Sequence, residues 1–213
     1  MGALIWRDLA MVSRAPALWV SAALYTSGLA FFVVVWGDGV PVAGAASNWR
    51  QFIAAERILL AVLLPWTAAR CGVSSRRELV LTGVVTAKPP AALVLARCAA
   101  LGLALIAVAL AALPVVVLMQ QIAGASAGAV ALALVPIAAL AIFVASVTTT
   151  VSIVLEAPVR VWGMVTAVSL TALAVIPSEP GATPLWLLAA AAALALGIPQ
   201  MRSKLTYLAE DVA

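Results

Sequence analysis

"AALVLARCAALGLALIAVALAALPVVVLM", residues 91–119, runs for 29 positions with Arg97 as its one charged side chain. The hydrocarbon core of a bilayer is about 30 Å thick, and about 20 apolar helical residues cross it. This stretch crosses with length to spare, which implies tilt or an extension into the interface. The rest of the chain agrees with it: 66% of the residues are hydrophobic, 9% are charged, and the mean hydropathy is +1.19. A soluble globular domain is about 45–50% apolar and about 25% charged. Too little polar surface remains to cover a water-soluble globule. The expected fold is an all-α integral membrane protein.

Working outward, five further stretches are long and apolar enough to join it. The six expected spans cover about 17–36, 52–69, 91–119, 128–151, 161–176 and 184–199 of a single transmembrane domain, 1–213. Charge orients them. With the N-terminus inside, the cytoplasmic segments collect ten of the twelve basic residues, and only Arg50 and Arg57 fall outside. That is a strong positive-inside bias, and it places both termini, including the tail 200–213, in the cytoplasm. The outer connections, "GDGVPVAGAASNWRQ", "QQIAGASA" and "PSEPGATP", are too brief for a receptor or catalytic domain. Function therefore belongs to the bundle or to its cytoplasmic surface.

Several activities find no support. A net charge of +4 and a pI near 9.7 do not make a nucleic-acid binder, because no soluble basic domain carries the charge. The chain has no histidine, hence none of the commonest general base and metal ligand at neutral pH. Cys71 and Cys98 lack a CxxC spacing and are expected to be reduced apolar fillers. Neither GxSxG nor metal-spaced ligands occur, and the absence of GxxxxGK[ST] leaves the chain without an ATP site of its own. The chain is expected not to be an enzyme and to bind no metal or cofactor.

The N-terminal "MGALIWRDLAMVSRAP" lacks the features of a cleavable signal. Residues 2–14 are too short to span. Ile5, Leu9 and Val12 share one helical face, Arg7 and Arg14 another, and Trp6 suits the interface. Pro16 then separates this segment from the first span. An interfacial helix along the inner leaflet is the expectation, with a basic topology lead-in as the simpler alternative. Within the spans, Glu56 and Arg57 stand about one turn into the second. Adjacent helical residues point about 100° apart and do not pair well with each other. An outer-interface anchor or an interhelical salt bridge is expected of them, against contact with substrate or proton. "SVTTTVS", residues 146–152, places Thr148, Thr149 and Thr150 between two serines. Such hydroxyls bond back to carbonyls or across to a neighbouring helix, or else line a pathway. Pro65, Pro114 and Pro136 are candidate kinks.

The charge that the spans lack gathers in "SSRRELVLTGVVTAKPPAALVLARC", residues 74–98, which holds Arg76, Arg77, Glu78, Lys88 and Arg97. An acid such as Glu78 adds little to a pure topology signal. This stretch, together with the layout of an N-terminal interfacial helix, six spans and one main cytoplasmic loop, resembles the membrane subunit of ABC-2 type ABC transporters. Members of that family carry an acidic residue, a Gly-Thr step, an aliphatic run ending at Pro and an early basic residue in the next helix. Here Glu78, "LTGVVTAKP" with Pro89, and Arg97 fill comparable places, with the Gly-Thr step reversed as Thr82-Gly83.

The resemblance implies a permease in a bacterial cytoplasmic membrane, N-in and C-in, paired with a second permease subunit and surrounded by membrane lipid. Separate cytosolic P-loop ATPase subunits would bind the ATP and Mg. The loop 74–90 would be the coupling element, with Arg76, Arg77, Glu78, Lys88 and Pro89 at the principal ATPase contact, and Glu156 and Arg160 at a second. Export is the direction the family implies, and its substrate path would run near the first, second and fifth spans. The alternatives are a small secondary transporter without an ATPase, or a non-transporting membrane scaffold subunit.

Overall fold

The computed structural model describes residues 2–37, 45–74, 89–155, 157–176 and 180–210. Every regular element among them is helical: α1 (Gly2–Ser13), α2 (Pro16–Gly37), α3 (Ala45–Ser74), α4 (Pro90–Ala111), α5 (Leu113–Ala123), α6 (Ala127–Val154), α7 (Pro158–Val175) and α8 (Thr183–Glu210), with a 3-10 turn at Pro180–Ala182. Six of these, all but α1 and α5, are long and apolar enough to cross a membrane. That is what a multi-pass membrane protein requires, since backbone amides in hydrocarbon must find carbonyls within their own helix.

Prolines mark the starts. Pro16, Pro90 and Pro158 open α2, α4 and α7, where the missing N–H is one that no helix would use. Pro89 precedes α4 in an extended conformation, with φ −61° and ψ 139°. A turn at Gly124, whose φ of 64° suits glycine, closes α5. Ser126 then caps α6 by accepting a hydrogen bond from Ala129 N at 3.2 Å.

Two boundaries differ from the sequence expectation. The long stretch 91–119 is two helices, not one tilted span. The break falls at Ala112, immediately before Leu113-Pro114, because Pro114 cannot donate back into the preceding turn. The 22 residues of α4 are enough to cross alone, and α5 packs separately against α2 and α3. Pro65, Pro136 and Pro199, by contrast, lie within continuous helices. The second difference is that α3 starts at Ala45, well before the apolar run. Hydropathy reports where hydrocarbon begins, whereas a helix continues into polar sequence if nothing stops it. Glu56 therefore lies about three turns into its helix rather than one.

The spans form an inner and an outer set. Within the most apolar stretch of each span, more than half of the residues of α3, α4 and α6 are buried, but fewer than a third of those of α2, α7 and α8. Helix α6 occupies the centre, against α3, α4, α7 and α8. The outer helices turn large apolar side chains such as Trp19, Phe31, Met164, Val175 and Leu188 away from the bundle. Helix α1 packs along α4. Its Leu4 joins Leu93, Val94, Ile153 and Met201 in one cluster, so α1 gathers with the start of α4, the end of α6 and the late turns of α8. This is called the α1 end of the bundle below. Trp19 Nε1 donates to Ser13 O at 2.9 Å across the turn from α1 into α2.

The tightest approach is between α6 and α8. Thr150 Oγ1 donates to Ala193 O at 2.8 Å, and a Cβ placed on Gly197 would lie 2.7 Å from that same oxygen and 3.4 Å from Thr150 Cα. Gly197→Ala must therefore displace the hydroxyl or separate the helices, at about 1–3 kcal/mol. In thermal unfolding in detergent, Gly197→Ala is expected to lower the midpoint, and Thr150→Ala in the same chain is expected to recover part of the loss. Simple addition of the two effects would contradict the contact.

Candidate functional site

Polar side chains inside the bundle collect on α3 and on the neighbours it touches. Near the α1 end, Arg97 of α4 is buried and donates from Nη2 to Cys71 O at 2.6 Å. Cys71 lies in the last turns of α3, where carbonyls lose their helical partners and a cation matches the negative end of the helix dipole. One guanidinium thus pins the end of α3 to the start of α4. These are the two attachments of the charged segment singled out in the sequence. Pro89 is exposed at the beginning of α4, and Arg160 is exposed in the first turn of α7. Arg76, Arg77, Glu78, Lys88 and Glu156 lie outside the described residues.

On α1, Trp6 is 72% exposed and Arg14 is exposed as well. Arg7 pairs with Asp8 across 2.7 Å. Asp8 itself is buried, a feature the sequence reading passed over. The signal was an acid within a basic, apolar segment, and the burial follows from α1 lying against α4.

Midway along, α2 and α3 are joined by two polar contacts. The Ser21 and Thr67 hydroxyls hydrogen-bond each other, and whichever of the two accepts in that contact donates its own proton to a carbonyl of its helix, Ala17 O or Leu63 O. Tyr25 Oη donates to Glu56 Oε1 at 2.6 Å, with both residues buried. The second carboxyl oxygen, Oε2, is buried without a partner among the described residues. Among the described residues Glu56 makes no salt bridge, and its carboxyl is buried against α2. It faces a tyrosine because its direction on α3 points into the α2 contact, and Arg57 points elsewhere. The sequence held Tyr25 in plain view, but only the register of α2 against α3 pairs it with Glu56.

Arg57 borders a cleft of about 970 Å³ at the end of the bundle opposite α1. Trp49, Arg50, Ile53 and Arg57 of α3 line it, with Leu132 of α6 and Leu173 of α7 opposite. Arg57 Nε is buried with no hydrogen-bond partner among the described residues.

Of the hydroxyl run on α6, Ser146, Thr148, Thr149 and Ser152 are buried and Thr150 is half-buried. Ser146 and Thr149 donate to the carbonyls of Ile142 and Ala145, and Thr150 reaches across to α8. Thr148 Oγ1 is buried without a partner among the described residues. Cys71 and Cys98 are buried and form no disulfide, and Cys98 lies 3.4 Å from the Ser146 hydroxyl. Among the described residues no group of three or more His, Cys, Asp or Glu side chains is arranged to hold a metal ion. No protein-family model, curated protein or solved structure matches the chain.

The Tyr25–Glu56 contact is testable by stability. Removing one partner strands the other in an apolar site, at about 1–3 kcal/mol, whereas replacing both by apolar groups costs less. Tyr25→Phe and Glu56→Leu should each lower the unfolding midpoint in detergent, and the double variant should lose less than the sum. Additive losses would show that the two side chains do not support each other.

Proposed function

We propose that the chain is the membrane-spanning permease subunit of an ATP-driven ABC transporter of the ABC-2 type, driven by a separate cytosolic ATPase through the segment between its second and third spans. The observation that carries this reading is the Arg97–Cys71 clamp, which braces both attachments of the one long charged segment against the inner helices. A force applied to that segment enters the bundle at a fixed point rather than being lost in a loose hinge. The α1 helix, packed across the same end, suits an interfacial strut on the cytoplasmic leaflet, with Trp6, Arg7 and Arg14 toward the headgroups. Both termini are then cytoplasmic. Arg76, Arg77 and Glu78 meet the ATPase, Lys88 and Pro89 lead into the third span, and Glu156 and Arg160 form a smaller contact. ATP and Mg belong to the partner, and a second permease subunit completes the path.

The test is co-purification in mild detergent. A soluble P-loop ATPase is expected to accompany the wild-type chain, and the triple reversal Arg76→Glu, Arg77→Glu, Glu78→Arg is expected to release it while the unfolding midpoint stays within about 1 °C of wild type. Retention of the ATPase by the reversed chain would remove the coupling assignment.

A second reading, a secondary transporter without an ATPase, is favoured by one observation: a buried carboxyl inside a span with one oxygen unpartnered among the described residues. Ionisable groups in spans mark ion pathways and relays. Under the permease reading, Glu56→Gln leaves transport in proteoliposomes dependent on ATP and near the wild-type rate. Loss of transport that had been driven by a proton gradient would select the second reading instead.

A further inference from the structure

The cleft opposite the α1 end has a composition that ATPase coupling does not use. Arg50 and Arg57 are seven positions apart, about two helical turns, so both side chains leave α3 on the same side. Among the described residues neither makes an ion pair. The acid next to Arg57 is committed to Tyr25. A guanidinium between apolar walls needs an anion, or it carries the desolvation cost alone. Of the remaining lining, Trp49 can offer one indole N–H donor, Ile53, Leu132 and Leu173 offer no hydrogen-bonding side chain, and Ala129 and Ala133 leave the space between α3 and α6 open. The cleft thus joins a cationic rim to an apolar trough, at the end of a bundle whose outer surface is itself apolar.

We propose that this cleft binds one anionic phospholipid of the surrounding bilayer. Arg50 and Arg57 hold its phosphate, and one acyl chain lies along Ile53, Leu132 and Leu173. Arginine suits the first role, since its planar fork donates two hydrogen bonds to a phosphate at once. A free phosphate would use the rim and leave the trough empty, and a zwitterionic lipid would bring a third cation to a rim that already has two. The site is independent of the transport reading, because it needs neither ATPase nor substrate.

Native mass spectrometry of the full chain, released from nanodiscs of equal phosphatidylglycerol and phosphatidylcholine, reads the occupancy directly. Wild type is expected to retain one phosphatidylglycerol in preference to phosphatidylcholine, and excess inorganic phosphate should not displace it. The Arg50→Gln/Arg57→Gln variant should retain about tenfold less, while Arg70→Gln, on the same helix near the α1 end, should retain the wild-type amount. Leu132→Trp fills the trough, keeps both charges and should also lose the lipid, so it decides the matter if the double arginine variant does not fold. Equal retention of the two lipids, displacement by inorganic phosphate, an equal loss in Arg70→Gln, or full retention by Leu132→Trp would each overturn the proposal.

Discussion

A backbone amide that finds no carbonyl in hydrocarbon costs several kcal/mol, and this chain is arranged around that cost. It explains why all regular structure among the described residues is helical and why helix ends concentrate where a special residue handles the orphaned groups. Proline opens α2, α4 and α7, and Gly124 and Ser126 share the turn between α5 and α6. At the last turns of α3 the guanidinium of Arg97 serves from another helix. One long-range contact thereby satisfies a carbonyl, places a cation at the negative end of a helix and fixes the geometry of two spans.

Helix α3 has a different character from α4 and α6, although all three are inner helices. The contacts around α6 are mostly matters of shape: small residues, hydroxyls folded back onto their own carbonyls, and the close passage of Gly197 past Thr150. Those around α3 are chemical. Ser21 with Thr67, Tyr25 with Glu56 and Arg97 with Cys71 O each join α3 to a neighbour. Apolar packing between membrane helices tolerates sliding more readily than a directed hydrogen bond does, because lipid is as apolar as the helices themselves. Helix α3 is therefore held in register chiefly by directed hydrogen bonds, and α6 chiefly by fit, with the Thr150 bond to Ala193 O added on its α8 side.

The spans were legible in the sequence because hydropathy and helix length are both local. Arg97 could be noticed, but its partner is a backbone carbonyl 26 residues away, and backbone atoms leave no mark in a sequence. The start of α3 was missed for a related reason: Trp49, Arg50 and Gln51 are polar enough to end a hydrophobic window and yet fully able to continue a helix. Glu56 was recognised as unusual, but its depth followed from that misplaced start and its pairing from the register of another helix. Pro114 was seen as a kink, whereas the chain ends one helix and begins a second there. Pro65 and Pro136 show that proline alone does not decide between the two outcomes.

The packing of α1 has a consequence for assembly. Leu4 packs against the cluster that contains Leu93, 89 positions later in the chain. At a synthesis rate of about 5–20 residues per second, the ribosome needs roughly 4–18 s to deliver that partner. Through this interval the first helix has no place on the bundle, and two spans enter the bilayer before its seat exists. Helix α1 is made before the helices it docks on, so this end of the bundle closes only after α4 has arrived.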